Sequence, residues 1–343
     1  MSAFDPLDTE KVSTAIRQFM ERETGGPVSL GRLNRFTVGF SWVTYGFDGQ
    51  WIKKGETVSR KLILRVGPPS GLFAPYKASA EFLTLKSLAA VAIETPAPHW
   101  YTDDPDLLGA PFYICDQAPG EAPVPWHVDF TDDQREQLGQ QFVDGLAALH
   151  NFDWRPSPIG FLGRDREIQN AARTEVAYWE AMTEQWTDNK SPILSWAAAW
   201  FRQNAPDHQR LSLIHGDYRI GNFLTVGDRI TAILDWELVH IGDPLEDLGW
   251  VCMRAWRGRS DKMCHMMARN ELVTRYQDKT GLHVDDKTLN YWEAFGAYKL
   301  AVIHLGAAHC FEHRGFNDLR MAGMGAQTAR VLVEMEKAME RVA

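Results

Sequence analysis

One short strand hairpin, set within a long helical region, restricts the possible folds of this chain. Apolar residues repeat at helical spacing over residues 131–150, 165–186, 191–204, 244–257, 262–280, 285–311 and 318–342. Between the third and fourth of these patterns, the strand-like runs FLTV and RITAIL flank Gly227-Asp228, a pair suited to a tight turn. A hairpin brings the residue before its first strand and the residue after its second strand to the same end.

The first third of the chain has a different pattern, with one helix followed by strands. Apolar spacing predicts a helix over 8–23, the runs LGRLNRFTVG, SWVTYGFDG and KLILRVG predict strands, and 76–91 predicts a second helix. Asp48-Gly49 is expected to form a hairpin turn, because both residues tolerate positive φ. We therefore predict a bilobal α+β fold, with a small β-rich lobe over 1–117 and a larger, mostly helical lobe over 118–343.

Composition limits the classes of partner. The chain has 36 basic and 45 acidic residues, a net charge of -9, which disfavours nucleic acid and anionic membranes. No apolar run approaches the roughly 20 residues that cross a bilayer, and the N-terminus MSAFDPLDTEK lacks the features of a secretory signal. We expect a cytoplasmic protein. Its four cysteines, without CxxC pairing, suggest buried free thiols rather than zinc ligands or disulfides.

Three oxygen-bearing side chains meet at one end of the predicted hairpin. Asn222 precedes its first strand, Asp235 closes its second, and Asp217 lies on the loop that leads to Asn222. Phosphoryl transfer needs a carboxylate to accept the proton of a hydroxyl, and oxygen ligands for magnesium. Asp and Asn also populate turns for local hydrogen-bonding reasons. The ordered set HGD, Asn222 and Asp235 favours the chemical interpretation.

The segments HGDYRIGNFL, LDWELVHIGDP and EDLGW resemble the aminoglycoside phosphotransferase superfamily, whose members are small-molecule kinases built like protein kinases. They are similar to the branch of phosphotransferase domains linked to acyl-CoA dehydrogenases. KLILRVGPPSG, FYICDQAPGEAP and GLAALHNFDW extend this resemblance over most of the chain. It implies a protein-kinase-like fold, Mg2+, ATP or GTP as co-substrate, and a small-molecule hydroxyl acceptor, with hydroxyacyl-CoA thioesters as one class.

The resemblance also implies roles for single residues. Asp217 would be the catalytic base or the carboxylate that orients the hydroxyl, and Asn222 and Asp235 would hold magnesium. Arg219 would either stabilise the transferring phosphoryl group or be a structural or solvent-facing arginine. His215 is expected to be structural.

Scaffold and acceptor residues are expected on either side of Trp250. Asp247 is expected to anchor the loop that carries Asp217 through backbone N–H groups, and Asp243 to begin a helix before Pro244. The region after Trp250 is expected to form the acceptor pocket, from Arg254, Arg257, Arg259, Lys262, Lys299, His304, His309, His313 and Arg314. This composition suits an acidic or phosphate-bearing acceptor better than a polycation.

The N-terminal lobe offers six candidate nucleotide contacts: Gly39, Ser41, Arg65, Glu81, Asp116 and Ala118. Kinases place a strand lysine on the phosphates and pair it with a helix glutamate. Arg65 and Glu81 occupy those places, although a surface ion pair is the alternative. Backbone groups over 39–42 would cradle phosphate, or form an ordinary hairpin, since no GxGxxG is present. The backbone from Asp116 to Ala118 would face adenine.

Three other functions compete with the metabolite kinase. An aminoglycoside-type antibiotic kinase would use the same catalytic residues. A non-catalytic pseudokinase is suggested by Arg65 in place of lysine and by the bulky Trp42 in the phosphate loop, but the complete set Asp217, Asn222 and Asp235 opposes it. A protein kinase is disfavoured because D-F-G and A-P-E are absent from the sequence. The sequence does not predict the oligomeric state.

Overall fold

The structure, a computed structural model, describes residues 8–37, 39, 41–68, 70–164, 168–187, 191–313 and 318–342. These residues form two compact units. The N-terminal unit comprises the residues up to Lys86 together with Pro96–Ala118, and the C-terminal unit comprises Ser87–Thr95 and the described residues from Pro119 onward. Within the described part of the chain, no helix has the length and apolar character to span a membrane. The assignment of nucleotide binding to residues 1–117, and of catalysis and acceptor binding to residues 118–343, remains a prediction.

The N-terminal unit is built on one antiparallel sheet, in the order β1-β3-β4-β6-β5, with β2 pairing β3. Its strands are β1 (Val28–Leu30), β2 (Asn34–Phe36), β3 (Val43–Lys53), β4 (Glu56–Val66), β5 (Pro98–Thr102) and β6 (Phe112–Asp116). Its helices are α1 (Thr9–Thr24) and α2 (Ala78–Leu88). One face of α1 (Val12, Ile16, Phe19 and Met20) joins the inward residues of β3, β4 and β6 in one core.

The hairpin turn predicted at Asp48-Gly49 was wrong. Strand β3 continues through both residues, with Asp48 opposite Lys61, and the turn lies at Lys54-Gly55, with φ of 54° and 83°. Glycine at position 49 serves close packing instead, since a Cβ there would lie 2.9 Å from Leu62 Cδ1. The dipeptide is therefore compatible with a turn but does not require one.

The C-terminal unit is mostly helical. Its helices are α3 (Asp132–Asn151), α4 (Ala171–Trp186), α5 (Pro192–Gln203), α6 (Leu245–Cys252), α7 (Arg269–Thr280), α8 (Asp286–His313), α9 (Leu319–Ala326) and α10 (Thr328–Glu340). Three antiparallel strand pairs join them: β7 (Ser212–Ile214) with β10 (His240–Gly242), β8 (Phe223–Val226) with β9 (Arg229–Ile233), and β11 (Lys262–Met263) with β12 (Met267–Ala268). Helix α8 is buried over most of its length and packs against α4, α5, α6, α9 and α10.

The predicted fold class, α+β with a β-rich first part and a mostly helical second part, is confirmed. Thr131 caps α3 in a reciprocal capping box with Gln134. The helix predicted over 262–280 was wrong in its first seven residues, which form the β11–β12 hairpin. Cys264 and His265 there have φ of 47° and 63°, and these values exclude a right-handed helix.

Candidate active site

The β8–β9 hairpin places Asn222 and Asp235 at the same end, as the sequence predicts. Phe223 pairs with Ile233, and the Leu234 N–H donates to the Asn222 carbonyl at 2.8 Å. Asn222 is buried. Asp235 follows Leu234 directly in a left-handed conformation, with φ 60° and ψ 63°, which aspartate tolerates better than most residues. The two residues therefore lie at the same end of the hairpin, although its two strands separate them in sequence.

The Asp217 carboxylate accepts hydrogen bonds from three side chains. Arg219 Nε and Trp250 Nε1 each donate to Oδ1 at 2.9 Å, and Asn222 Nδ2 donates to Oδ2 at 2.5 Å. Asn222 Nδ2 also donates to the Asp217 carbonyl at 3.0 Å. Because the amide nitrogen of Asn222 faces Asp217 in both bonds, its side-chain oxygen is the atom available to a cation. The carboxylate of Asp217 is thus held in one orientation beside Asn222.

His215 ties the loop to the end of β9. Its Nδ1 lies 3.1 Å from the Asp217 N–H and accepts that proton, so Nε2 donates to the Leu234 carbonyl at 2.9 Å. Burial lowers the pKa of His215, in agreement with this neutral tautomer. Both ring nitrogens of His215 therefore bond backbone groups, and one of these groups directly precedes Asp235. This is the structural arrangement expected from the sequence.

Asp247, on α6, anchors the same loop from below the surface. Its Oδ2 accepts from the His215 N–H at 2.7 Å and its Oδ1 from the Gly216 N–H at 2.9 Å. His150 Nε2 lies 3.2 Å from Oδ2, while His150 Nδ1 lies 2.6 Å from the Tyr276 hydroxyl. Burial is the largest single influence and raises the pKa of Asp247, but the hydrogen bond from His150 and the electrostatic effect of His150 and His215 together outweigh it, so the pKa is lowered. A buried carboxylate therefore satisfies two backbone donors of the loop.

Two tryptophans that sequence reasoning did not assign to the site support Arg219. The Arg219 guanidinium carbon lies 4.5 Å from the centroid of the Trp256 ring, and its NH1 donates to the Ile220 carbonyl at 2.9 Å. Trp256 in turn packs on Trp250, with ring centroids 5.2 Å apart. Arg219 is thus fixed beside Asp217 rather than extended into solvent, and its role in the reaction stays a prediction. Trp250 lies in the motif EDLGW, the one signal that pointed to it.

The region after Trp250 differs from the expected acceptor pocket in two residues. Lys299 and His304 are buried within α8, at 0% and 7% exposure. Burial lowers the pKa of His304 to about 4. Arg254 and Arg259 are exposed and Arg257 and Lys262 half-buried, so these four stay available to an acceptor. Arg314 lies outside the described residues.

In the N-terminal unit, Arg65 and Glu81 form a buried pair rather than a surface one. Arg65 NH1 lies 3.2 Å from Glu81 Oε2, and the two side chains are 12% and 1% exposed. Tyr113, which is opposite Arg65 in the β4–β6 register, donates its hydroxyl proton to the same oxygen at 2.7 Å. The Trp42 ring lies 5.6 Å from the guanidinium carbon, so this residue covers Arg65. Neither Tyr113 nor Trp42 was expected in this role.

The other candidate nucleotide contacts differ in their exposure to solvent. Gly39 is exposed with φ 102°, a conformation that favours glycine, whereas Ser41 is buried. Val38 and Phe40, within the predicted phosphate loop, lie outside the described residues. The Asp116 N–H donates to the Ala97 carbonyl at 2.8 Å and its carboxylate contacts His99 at 2.7 Å. Backbone recognition of adenine would therefore fall to the Asp116 carbonyl and to Ala118.

Comparison with known proteins gives the family and the fold of the chain. A sequence model of the phosphotransferase enzyme family matches residues 46–283. Acyl-CoA dehydrogenase family member 11 of Rattus norvegicus is 26% identical over 301 residues, which are 83% of this chain and 38% of that protein. A candidate aminoglycoside phosphotransferase from Ralstonia eutropha has a TM-score of 0.72 at 20% identity, covering 96% of this chain and 98% of its own.

A second solved structure belongs to a thermostable mutant of aminoglycoside phosphotransferase APH(4)-Ia, in a ternary complex with AMP-PNP and hygromycin B. It has a TM-score of 0.55 at 15% identity, covering 96% of this chain and 99% of its own. These likenesses confirm the predicted kinase-like fold, and the rat protein confirms the resemblance to domains linked to acyl-CoA dehydrogenases. The chain spans less than two-fifths of that relative's length. With the family model matching more than half of its residues, the chain belongs to the phosphotransferase enzyme family.

Proposed function

We propose that this protein is a magnesium-dependent kinase that transfers the γ-phosphate of ATP or GTP to a hydroxyl of a small molecule. The carboxylate of Asp217, held by three donors at the end of the hairpin that carries Asn222 and Asp235, is the observation that supports this most directly. Membership of the phosphotransferase family supports the reaction class. The solved neighbour with AMP-PNP and hygromycin B supports a nucleotide co-substrate and a small-molecule acceptor.

Asp217 performs the proton transfer in this proposal. The acceptor hydroxyl donates a hydrogen bond to the Asp217 carboxylate, and its oxygen attacks the γ-phosphorus. As the new O–P bond forms, the bond from phosphorus to the bridging oxygen breaks, the nucleoside diphosphate leaves with the electron pair, and Asp217 takes the proton. Arg219, fixed beside Asp217, stabilises negative charge on the transferring group.

Asn222 and Asp235 are suited to hold magnesium. An amide oxygen and a carboxylate are hard oxygen donors, and Mg2+ in proteins takes one or two carboxylates together with waters and phosphate oxygens. When bound, magnesium neutralises charge on the phosphates. In the N-terminal unit, the buried Arg65–Glu81 pair presents a guanidinium suited to the α- and β-phosphates. Its burial favours a clamp over a surface ion pair of little consequence.

The acceptor in this proposal is anionic, with hydroxyacyl-CoA thioesters as the first class to test. Arg254, Arg257, Arg259 and Lys262 all lie on the segment that follows α6, which also carries Trp256 against Arg219. A basic segment attracts phosphate-bearing molecules and repels polycations. The likeness to an acyl-CoA dehydrogenase family member supports the thioester class.

The test is phosphorylation of a hydroxyacyl-CoA panel beside kanamycin, with ATP or GTP and with or without magnesium. We expect magnesium-dependent release of nucleoside diphosphate and a phosphorylated thioester in the mass spectrum. Asp217→Asn should lower kcat about 10³-fold, because it removes the proton acceptor. Asp228→Asn, at the exposed turn of the same hairpin, is the matched control and should keep the wild-type rate.

Each other outcome would change the proposal in a defined way. Equal rates for wild type and Asp217→Asn would remove Asp217 from the mechanism. Turnover of kanamycin alone would overturn the anionic acceptor and favour an antibiotic kinase. Nucleotide binding without turnover of any acceptor or of water would favour a non-catalytic binding module.

A further inference from the structure

A buried lysine of α8 contacts the backbone of the loop that carries Asp217. Lys299 is 0% exposed, and its Nζ donates to the Gly216 carbonyl at 2.6 Å and to Glu246 Oε1 at 3.0 Å. A buried ammonium is costly unless it is paired and hydrogen-bonded, so both contacts hold it in place. Gly216 directly precedes Asp217 and has φ 82°. Its carbonyl is therefore bonded from α8 while its N–H is bonded from Asp247.

We propose that Lys299 is a positioning residue that holds the Gly216 carbonyl, and through it the Asp217 carboxylate, in the orientation needed for phosphoryl transfer. This inference rests on the proposed function. Lys299 touches neither nucleotide nor acceptor in this role, and acts through the loop. A displacement of about 1 Å at a reacting group can cost on the order of 100-fold in rate, so a single hydrogen bond to the loop is sufficient to matter.

The same ammonium also supports a second contact of Asp217. Lys299 Nζ lies 4.8 Å from the centroid of the Trp250 ring and 5.5 Å from that of Trp179. Trp250 Nε1 donates to Asp217 Oδ1 at 2.9 Å. Lys299 therefore contacts both the backbone before Asp217 and the indole that orients its carboxylate. Cation–π contact with desolvated tryptophan favours this position of the ammonium.

A chain of ionisable side chains in contact with one another holds Glu246, and through it Lys299, in place. Glu246 Oε2 lies 3.2 Å from His240 Nε2, which lies 3.2 Å from Glu175 Oε1, and Arg164 NH1 lies 2.5 Å from Glu175 Oε2. Burial alone would raise the pKa of Glu246, but Lys299 and His240 outweigh it and hold the pKa below its ordinary value. Glu246 is therefore a carboxylate, and its charge holds the ammonium at the loop.

A metal site is the alternative interpretation of this cluster. Ligand atoms of Glu175, His240 and Glu246 all lie within 4.8 Å of one another. Each carboxylate already has its own cation, however: the half-buried Arg164 for Glu175 and the buried Lys299 for Glu246. A divalent ion among them would face two further positive charges at short range. The geometry therefore favours an ion-pair chain that ends on Gly216.

Two variants separate positioning from charge balance. Lys299→Met removes the ammonium and leaves Glu246 buried without its cation, so we expect a lower Tm. In the double variant Lys299→Met/Glu246→Gln both charges are gone, and Tm should largely recover. In both variants we expect kcat to stay about tenfold to 100-fold below wild type with KM for nucleotide within about twofold, since only orientation is lost. Lys279→Met is the matched control. It removes a half-exposed lysine of α7 that pairs with Asp144 of α3.

Hydrogen exchange gives a readout that does not depend on activity. Amides of residues 216–222 should exchange faster in the double variant than in wild type, while those of α3 keep their protection. Recovery of Tm, kcat and exchange together in the double variant would show that Lys299 only balances Glu246, and would overturn the proposal. A wild type without phosphoryl transfer would contradict the proposed function, and unchanged exchange over 216–222 would contradict the role of Lys299.

Discussion

Two of the polar clusters among the described residues are held in different ways. In the N-terminal unit, the clamp (Arg65, Glu81 and Tyr113) consists of side chains that bond one another from two strands and one helix. In the C-terminal unit, the loop that carries Asp217 (residues 215–222) is held through its backbone, by Asp247 on two N–H groups and Lys299 on a carbonyl. Backbone anchoring ties the loop to the stability of its unit.

The largest expected effect is on stability, in the Asp247→Ala variant. This substitution leaves the His215 and Gly216 N–H groups and the ring of His150 buried without their acceptor. We expect the free energy of unfolding of the C-terminal unit to fall by about 3–5 kcal/mol in urea titrations. Asp144→Ala, which removes a 37% exposed carboxylate paired with Arg275, is the control and should cost less than about 1 kcal/mol. Equal losses in both variants would contradict backbone anchoring.

Acidification should also distinguish the two units, through buried histidine. Burial lowers the pKa of His304 to about 4, from 6.5. Below pH 6.5 the unfolded chain therefore binds a proton that the folded chain refuses, and stability falls as pH falls. Between pH 7 and 5 this one group should lower the free energy of unfolding by about 2 kcal/mol. Burial likewise lowers the pKa of His150. Burial raises the pKa of Asp243 to about 7, so this group makes the folded state more stable as pH falls.

Tyr113 of the clamp contributes nothing to this dependence, because burial raises its pKa far above neutrality. The measurement is the free energy of unfolding of wild type and His304→Gln at pH 7 and pH 5. The variant should lose about 2 kcal/mol of the pH dependence. His313→Gln, at the exposed end of the same helix, shows how much of any change comes from removing a histidine in general. Parallel curves for wild type and His304→Gln would count against the buried neutral side chain.

The next effect is expected at the clamp, where Arg65→Met should weaken nucleotide binding and, because Glu81 stays buried without its cation, also lower Tm. Arg65→Met removes the guanidinium proposed to contact the phosphates, so KM for nucleotide should rise about tenfold, which corresponds to about 1.4 kcal/mol. Arg60→Met, on the exposed part of the same strand, is the matched control. An unchanged KM in steady-state assays of Arg65→Met would show that the pair is only structural.

The smallest expected effect is in the Trp250→Phe variant. It removes one hydrogen bond to Asp217 Oδ1 and keeps an aromatic ring, so kcat should fall by about threefold to tenfold. KM for nucleotide should not change. Trp154→Phe also removes an indole N–H from a carbonyl, that of Leu211, but away from the loop, and should keep the wild-type kcat. The same kcat in Trp250→Phe and Trp154→Phe would show that the indole bond to Asp217 does not matter for the reaction.

Features formed by residues that are close in sequence could be predicted from the sequence. Features that depend on the register between distant strands could not. Thr131 and Gln134 form their capping box within one helical turn, so adjacent residues suffice to predict it. The clamp needs the β4–β6 register, which places Tyr113 opposite Arg65 although they are far apart in the chain. Asp48-Gly49 shows the reverse case, in which a local turn signal is overruled by long-range strand pairing.

The order and spacing of Asp217, Asn222 and Asp235 can be read directly from the chain. The hairpin that brings the last two together is also predictable from local sequence, because a tight turn is a local property of the chain. The role proposed for Lys299, in contrast, depends on tertiary contacts. In sequence it is one of several basic residues after Trp250, and we expected it in the acceptor pocket. Its burial against Gly216 and Glu246 depends on the helices that pack around α8. Whether a long charged side chain reaches water or a buried partner is set by that packing, and its sequence neighbours do not encode it.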